Sequence, residues 1–422
     1  MVLLTAEIGI LNKNGVVIAA DSAVTMSGSN NQKIYNSANK VFALAPSHDI
    51  GMMIYGNASI SGIPWEVLIK EYRKNLSKPF GRTLEYISDF LDFLETIKDI
   101  QSNQSETDLV VRYVNELLNL IYEELTIAIF QKDEIDKDEE FVRLLDEMKR
   151  EFAKAKPFTK KETLKEFNMR FDENVRNIYD DFCEKLGISN KVRDNKRSSF
   201  ISILRNALFS KEYFSNSKTG LVITGYGEND LFPSLYSLSI EGYIGGKLKI
   251  LMDNRLEISV YGTTSGIAPF AQQEMVHTVM RGIDPEMQEN IELITSIGFD
   301  NFISSLEDEK LINDYYDEDI QILKDSCQDA IKSTIKDKIN SSYVNPVLRS
   351  IDLMPKEELA TIAETLVNIT SFKRKISMEM ETVGGPIDVL LITKSDGPIW
   401  IKRKYYFEEK INPDYHKRKF FS

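Results

Sequence analysis

The sequence predicts an α+β fold, and three observations carry the prediction. Runs of β-prone residues cluster at both ends and in the middle of the chain. Helical periodicity fills the two long stretches between them. The regular strand–helix–strand alternation of a doubly wound sheet is absent, so the order is strands, helices, strands, helices, strands.

The first 60 residues read as two hairpins. Leu3–Leu11 is β-rich, Asn14-Gly15 suits the positive φ angles of a tight turn, and Val16–Ala20 returns. Lys40–Leu44 and Gly51–Gly56 form the second pair. The pattern then becomes helical: Pro64 suits a first helical position, and Trp65, Leu68, Ile69, Tyr72 and Leu76 recur at helical spacing. Leu84, Ile87, Leu91 and Leu94 continue it, as do Val110, Val114, Leu117, Leu118, Ile121 and Leu125. Residues 72–215 therefore read as a helical block, with polar loops at Ser102–Thr107 and Asp133–Glu140. Strands resume at Gly220–Gly225, Leu235–Leu238 and Leu256–Tyr261, with a turn at Gly242–Gly246. Pro269-Phe270 opens a helix, and a second helical stretch covers 283–375, its stripe marked by Leu359, Ile362, Leu366 and Ile369. A hairpin closes the chain: Ile387–Ile392, a turn at Ser395-Asp396-Gly397, and Ile399–Ile401.

Composition narrows the function classes. The 422 residues carry 52 Lys and Arg against 65 Asp and Glu, a formal net charge of -13, which on average repels phosphate backbones and anionic lipid. Neither nucleic acid nor membrane is expected as a partner, and Lys402-Arg403-Lys404 reads as solvated surface. Cys183 and Cys327 allow no disulfide framework, and His48, His277 and His416 are far apart, so neither a metal nor another cofactor is expected. Both cysteines read as packed helical residues and His48 as a solvated loop residue. Met1–Leu4 has no signal-peptide character, and no apolar run reaches the roughly 18 residues of a membrane span, so a cytoplasmic protein is expected.

Chemistry concentrates near the first hairpin. Thr5 opens the first strand, Asp21 ends the strand paired to it, and Lys40 opens the next. A threonine hydroxyl is a weak nucleophile that needs a base and a positive field. If Thr5 were the chain terminus, its own amine, titrating near ~7.7–8.0, would be a suitable base.

Thr5, Gly9 and Asp21, at intervals of four and sixteen residues from the threonine and within a GVVIAADSAVT phrase, resemble the proteasome β-type and HslV-like branch of the N-terminal nucleophile hydrolases. Lys40–Leu44 with Gly51–Gly56, Thr264-Ser265-Gly266, and Val383–Val389 with Ile392-Thr393-Lys394 and Asp396-Gly397 are similar to later family segments, in the same order. The likeness spans residues 5–60, 219–282 and 380–402. It implies a four-layer αββα sandwich formed by 1–71 and 216–422, with 72–215 as an inserted helical subdomain and 283–375 as a helical elaboration. It implies Thr5 as nucleophile after removal of Met1–Leu4, Lys40 lowering its pKa, Asp21 orienting Lys40, the Gly56 N–H holding the oxyanion and Ser265 supporting the amine, with Gly266 fitting that last position nearly as well. Val24, Ile54 and Ala58 would line an apolar substrate pocket. The activity implied is cleavage of peptide or other amide bonds, by a homo-oligomer, with the helical insertion available to a protein partner. Leu4 stands where the family has glycine, and Met380 and Val383, flanked by Glu379 and Glu381, stand where it has an acid and a serine. These departures define the alternative, a catalytically silent proteasome-like scaffold with an unprocessed N-terminus.

Overall fold

The computed structural model describes residues 6–27, 32–45, 47–131, 135–309, 317–376, 384–394 and 396–412. Among them the fold is mixed α and β with antiparallel sheets. The chain divides into two compact units, one from Leu4–Ala38, Leu231–Pro233 and Glu257–Ser422, the other mainly from Asn39–Asp230 and Ser234–Leu256. This is not the division expected from sequence, which set 72–215 apart from everything else.

In the first unit, β1 (Ala6–Asn12) and β2 (Gly15–Ala20) pair antiparallel and every residue of both is buried. Asn12 pairs with Gly15, so the turn residues are Lys13 and Asn14, and neither has the positive φ expected of Asn14-Gly15. A side chain shapes this turn instead: Asn12 Oδ1 accepts from Asn14 N at 2.8 Å. A short ribbon, β3 (Val24–Ser27) with β4 (Gln32–Tyr35), follows and carries no strong sequence signal.

The second unit opens with β5 (Val41–Ala45), β6 (His48–Gly56) and the small pair β7 (Ser59–Ile60) and β8 (Ile63–Pro64). Helices α1 (Trp65–Asn75) and α2 (Thr83–Glu95) come next, and Pro64 sits just before α1 rather than in its first turn. The helical block continues as α3 (Asn103–Gln131), α4 (Lys137–Ala153), α5 (Leu164–Leu186) and α6 (Asn190–Phe209). The polar cluster expected to be a loop at Ser102–Thr107 is the start of α3, because Ser102 Oγ accepts from Ser105 N at 3.2 Å and satisfies an open helix donor. Strands β9 (Thr219–Gly225), β10 (Ser234–Ile244) and β11 (Lys247–Glu257) complete a sheet ordered β11-β10-β9-β6-β5. The strand expected at Leu256–Tyr261 is displaced to β11, a half-exposed edge whose charged residues hide its pattern, while Val260 and Tyr261 are exposed.

Two cores form here. Ile50, Met52 and Ile54 of β6 and Leu221 and Ile223 of β9 face Trp65, Leu68 and Tyr72 of α1 and Phe90 and Leu94 of α2. The buried Trp65 indole donates to Thr219 Oγ1 at 2.8 Å, and that hydroxyl donates to Asn57 O at 2.8 Å, so no polar atom of this pair is stranded. His48 is buried, not solvated, with Nδ1 2.8 Å from Tyr86 Oη. The other core lies among α3–α6 and contains Cys183, whose thiol burial pushes up to about 11.

A buried polar cluster welds this helical core to the sheet, which is why 72–215 is no separate body. Tyr113 of α3 donates to Glu241 Oε2 of β10, and Lys249 Nζ of β11 donates to the Tyr113 hydroxyl at 2.5 Å and to Ala207 O of α6 at 3.2 Å. Ser215 N donates to Glu241 Oε1 at 2.9 Å. Burial pulls the Lys249 pKa down to about 8 against the opposing pull of Glu241, and drives Tyr113 well above its ordinary value.

Back in the first unit, β12 (Ser265–Ala271) pairs along the whole of β1. The helix expected from Pro269-Phe270 begins only at Glu274, as α7 (Glu274–Arg281). Proline is tolerated in β12 because this is an edge strand. Helices α8 (Pro285–Asp308) and α9 (Asp317–Ile339) are followed by a π-helical turn at Asn340–Val344, then α10 (Asn345–Leu353) and α11 (Lys356–Ile376). Cys327 on α9 is exposed rather than packed. The closing hairpin, β13 (Asp388–Thr393) and β14 (Gly397–Lys402), completes the sheet β12-β1-β2-β13-β14. Ile8, Ile10, Val17, Ala19, Val389 and Leu391 pack on α11 through Leu359, Ala360, Ala363, Leu366 and Val367. The contact face is rotated toward alanines relative to the expected stripe, which lets the helix lie close to the sheet.

Two predictions follow from these contacts. An added Cβ at Gly220 would sit 1.9 Å from the Tyr55 ring, so Gly220→Ala is expected to cost about 1–3 kcal/mol, with partial rescue by Tyr55→Ala, read from urea midpoints. Burial holds the His48 imidazole below its ordinary pKa against the charges of Asp49 and Glu228. The unfolded chain therefore binds a proton that the folded chain does not as pH falls below about 6.5, and stability drops on acidification. His48→Gln is expected to flatten that slope in urea midpoints measured between about pH 7.5 and 5.

Candidate functional site

The candidate site begins where β1, β2 and β12 end together. Asp21 follows the last residue of β2 and bonds the first residue of β1 in both directions: Asp21 N donates to Ala6 O at 3.1 Å, and Ala6 N donates to Asp21 Oδ1 at 3.2 Å. The other carboxylate oxygen accepts from Ala23 N at 3.3 Å and Gly384 N at 2.9 Å. One buried acid thus holds the start of β1, its own turn and the loop before β13. Ser22 strengthens the same junction, donating its N–H to Gly384 O at 3.2 Å and its hydroxyl to Pro386 O, while its carbonyl accepts from Ala38 N at 3.1 Å.

The expected nucleophile Thr5 precedes Ala6 in sequence and lies outside the described residues, as do Leu4, Glu379, Met380, Glu381 and Val383. The Ser265 assignment is corrected by the register. Ser265 pairs with Asn12, while Ala6 pairs with Ala271, so Ser265 sits at the opposite end of β1, about 20 Å away at ~3.4 Å per residue. Its hydroxyl is committed to Leu348 O at 2.7 Å. Gly266, opposite Leu11, is no better placed.

The residues that do stand at the Ala6 end of β12 are ones the sequence reading passed over. Ala271 has φ +56°, a left-handed conformation that costs an alanine roughly 1–2 kcal/mol. The adjoining Gln272 is buried, and its Oε1 accepts from Arg374 Nε of α11 at 2.9 Å. That bond fixes the carboxamide, and its Nε2 is left buried with no hydrogen-bond partner among the described residues. A glutamine after an alanine in a strand gives no sequence signal, since only the strand's end and its backbone angle mark it.

In the other unit, Lys40 is buried at the start of β5, its carbonyl accepting from Ile54 N at 2.9 Å. Gly56 ends β6 at φ +72°, where an added Cβ would meet Lys218 O at 2.6 Å, so the position demands glycine. Ile54 packs within the β6–α1 core, and Ala58 is exposed, its carbonyl accepting from Trp65 N at 3.0 Å. Val24 is half-buried at the start of β3 in the first unit. Among the described residues no three His, Cys, Asp or Glu side chains converge as a metal site would require, and no helix is long and apolar enough to cross a membrane. No protein-family model matches the chain, and no curated protein matches it.

Asp21→Asn tests the clamp. An amide cannot accept at both of its ends, so one N–H is left facing a donor, and the expected loss is about 1.5–3 kcal/mol by denaturant midpoint. Asn12, at the far end of the same hairpin, donates its Nδ2 to Ile351 O at 2.8 Å and to Met354 O at 2.9 Å, at the end of α10. Asn12→Asp is therefore a suitable control, expected to free α10 while leaving the Asp21 junction intact.

Proposed function

We propose that the chain is a threonine-type N-terminal nucleophile hydrolase that cleaves peptide or other amide bonds once the Leu4–Thr5 bond is cut. The observation that carries the reading is the two-way bond between Asp21 and Ala6, which anchors the residue next to Thr5 against a buried carboxylate. Thr5 Oγ is the nucleophile in this reading and its freed amine the base, through a water. Lys40 supplies the positive field, with Asp21 orienting it, and Gly56 N–H receives the oxyanion, a contribution of roughly 2.7–4 kcal/mol for such a donor. The glycine that ends β6 and the burial of Lys40 support these roles. The reading carries with it the four-layer αββα sandwich, an oligomeric assembly, peptide or protein substrates and a pocket involving Val24, Ile54 and Ala58.

A second reading, a silent scaffold of the same architecture, is favoured by one observation: the Ser265 hydroxyl is spent on Leu348 O, remote from Ala6, and supports no terminal amine. Intact mass separates the two. Hydrolase chemistry predicts loss of the residues before Thr5 in the wild type and their retention in Thr5→Ala. It also predicts that Lys40→Ala keeps the fold by circular dichroism while losing hydrolysis of a fluorogenic peptide panel by at least about a hundredfold. Retention of the leader by both wild type and Thr5→Ala would establish the scaffold.

A further inference from the structure

The Gln272 carboxamide, at the Ala6 end of β12, carries a hydrogen-bond donor with nothing to bond. The residue is only 7% exposed. Arg374 Nε can only donate, so the atom it meets at 2.9 Å is the oxygen of the amide. That contact fixes Nε2 as the other, buried end, without an acceptor among the described residues. A guanidinium on Oε1 also polarises the amide and makes Nε2–H a stronger donor. Such a group is costly inside a protein until an acceptor arrives, which makes it a marker of a partner. The ladder says where that partner comes from. Ala6 turns both its N–H and its C=O to Asp21, on the β2 side. Backbone groups alternate sides along a strand, so the position before Ala6 directs its nitrogen to the β12 side. Ala6 pairs with Ala271, and one further step of the register reaches Gln272, where β12 has already ended at the left-handed Ala271.

We propose that Gln272 Nε2 donates to the freed amine of Thr5 and holds it in the neutral form that serves as base. The proposal rests on the hydrolase reading for the cut that exposes this amine. Chemistry explains why the donor waits. Within the Leu4–Thr5 peptide the Thr5 nitrogen is itself a donor and has no lone pair to offer. Hydrolysis adds water across that bond, leaving a carboxyl on Leu4 and an amine on Thr5, and a neutral amine accepts where an amide nitrogen cannot. An ammonium cannot accept either, so donation from Gln272 favours the neutral amine over its protonated form. Gln272 thus takes the amine-supporting place that Ser265, at the other end of β1, cannot fill. Other charges on the elements that meet here act in both directions. Asp21, Glu7 of β1 and Glu274 of α7 favour the ammonium, whereas Lys373, Arg374 and Lys375 of α11 and His277 and Arg281 of α7 oppose it. Lys373 is shared between Glu274 at 3.9 Å and Asp284 at 3.6 Å. All of these stay in place when Gln272 alone is changed.

The test presents Thr5 as a free terminus whether or not the chain cuts itself: the whole chain from Thr5 onward is released from a fusion partner by a site-specific protease. Competitive acetylation of the terminus against pH, read by mass spectrometry of the terminal peptide, titrates the amine without any turnover. Gln272→Ala is expected to raise the amine's pKa by about half to one pH unit, the scale of one hydrogen bond. Gln272→Glu is expected to raise it further, because a carboxylate favours the ammonium. That variant keeps the side chain's size and carries the test if the alanine variant fails to fold by circular dichroism. An amine that titrates alike with Gln272 and with either folded variant overturns the proposal. Turnover of a fluorogenic peptide panel separates this outcome from failure of the hydrolase reading. No turnover beside a Gln272-dependent amine overturns the hydrolase alone, and turnover beside a Gln272-independent amine overturns the role of Gln272 alone. Where turnover is present, the acid limb of the pH–rate profile is expected to move up with the amine in Gln272→Ala, which a merely structural side chain would not cause.

Discussion

The Asp21 carboxylate is the constraint on which the first unit depends. Ala6, Ala23 and Gly384 come from three separate stretches of chain, and their backbone N–H groups converge on its two oxygens. A buried carboxylate is costly unless its lone pairs are filled, and backbone donors fill them without the entropy of ordering long side chains. The same bonds lock register. Once Ala6 is held against Asp21, β1 and β2 cannot slip by one residue, a slip that would turn Ile8, Ile10, Val17 and Ala19 away from α11.

The second unit solves a comparable problem differently. Its helical block and its sheet meet through a cluster centred on the side chains of Tyr113, Glu241 and Lys249. A buried lysine–glutamate pair contributes little net stability after desolvation, so its value lies in specifying how α3 and α6 sit on β10 and β11. Apolar packing in the core that includes Leu117 and Leu204 tolerates small rotations, whereas a shared hydroxyl between an acid and an ammonium does not.

Elements that bury nothing complete the picture. Helix α8, none of whose residues is buried, contrasts with α11, whose alanines and leucines are used against the sheet. The sequence assigns both to one helical stretch, 283–375. Only the structure separates a stripe that is covered from one that is not.

The sequence by itself determined the α+β class, the two N-terminal hairpins, the closing hairpin and most helices, because these follow from local apolar periodicity and strand propensity that tertiary context does not override. It also singled out Asp21, which proves to be a junction. Longer-range choices were beyond it. Pro269-Phe270 reads as a helix start until the whole of β1 is available to pair with it at an edge. Ser265 reads as a site residue until the ladder sets it opposite Asn12, six positions from Ala6. Gln272, Arg374 and the strained Ala271 carry no local signal, since a strand's end is defined by its neighbours. Which strands share a sheet, which helix face is covered and which polar atoms are left over are properties of pairing across the chain, and tertiary structure alone decided them.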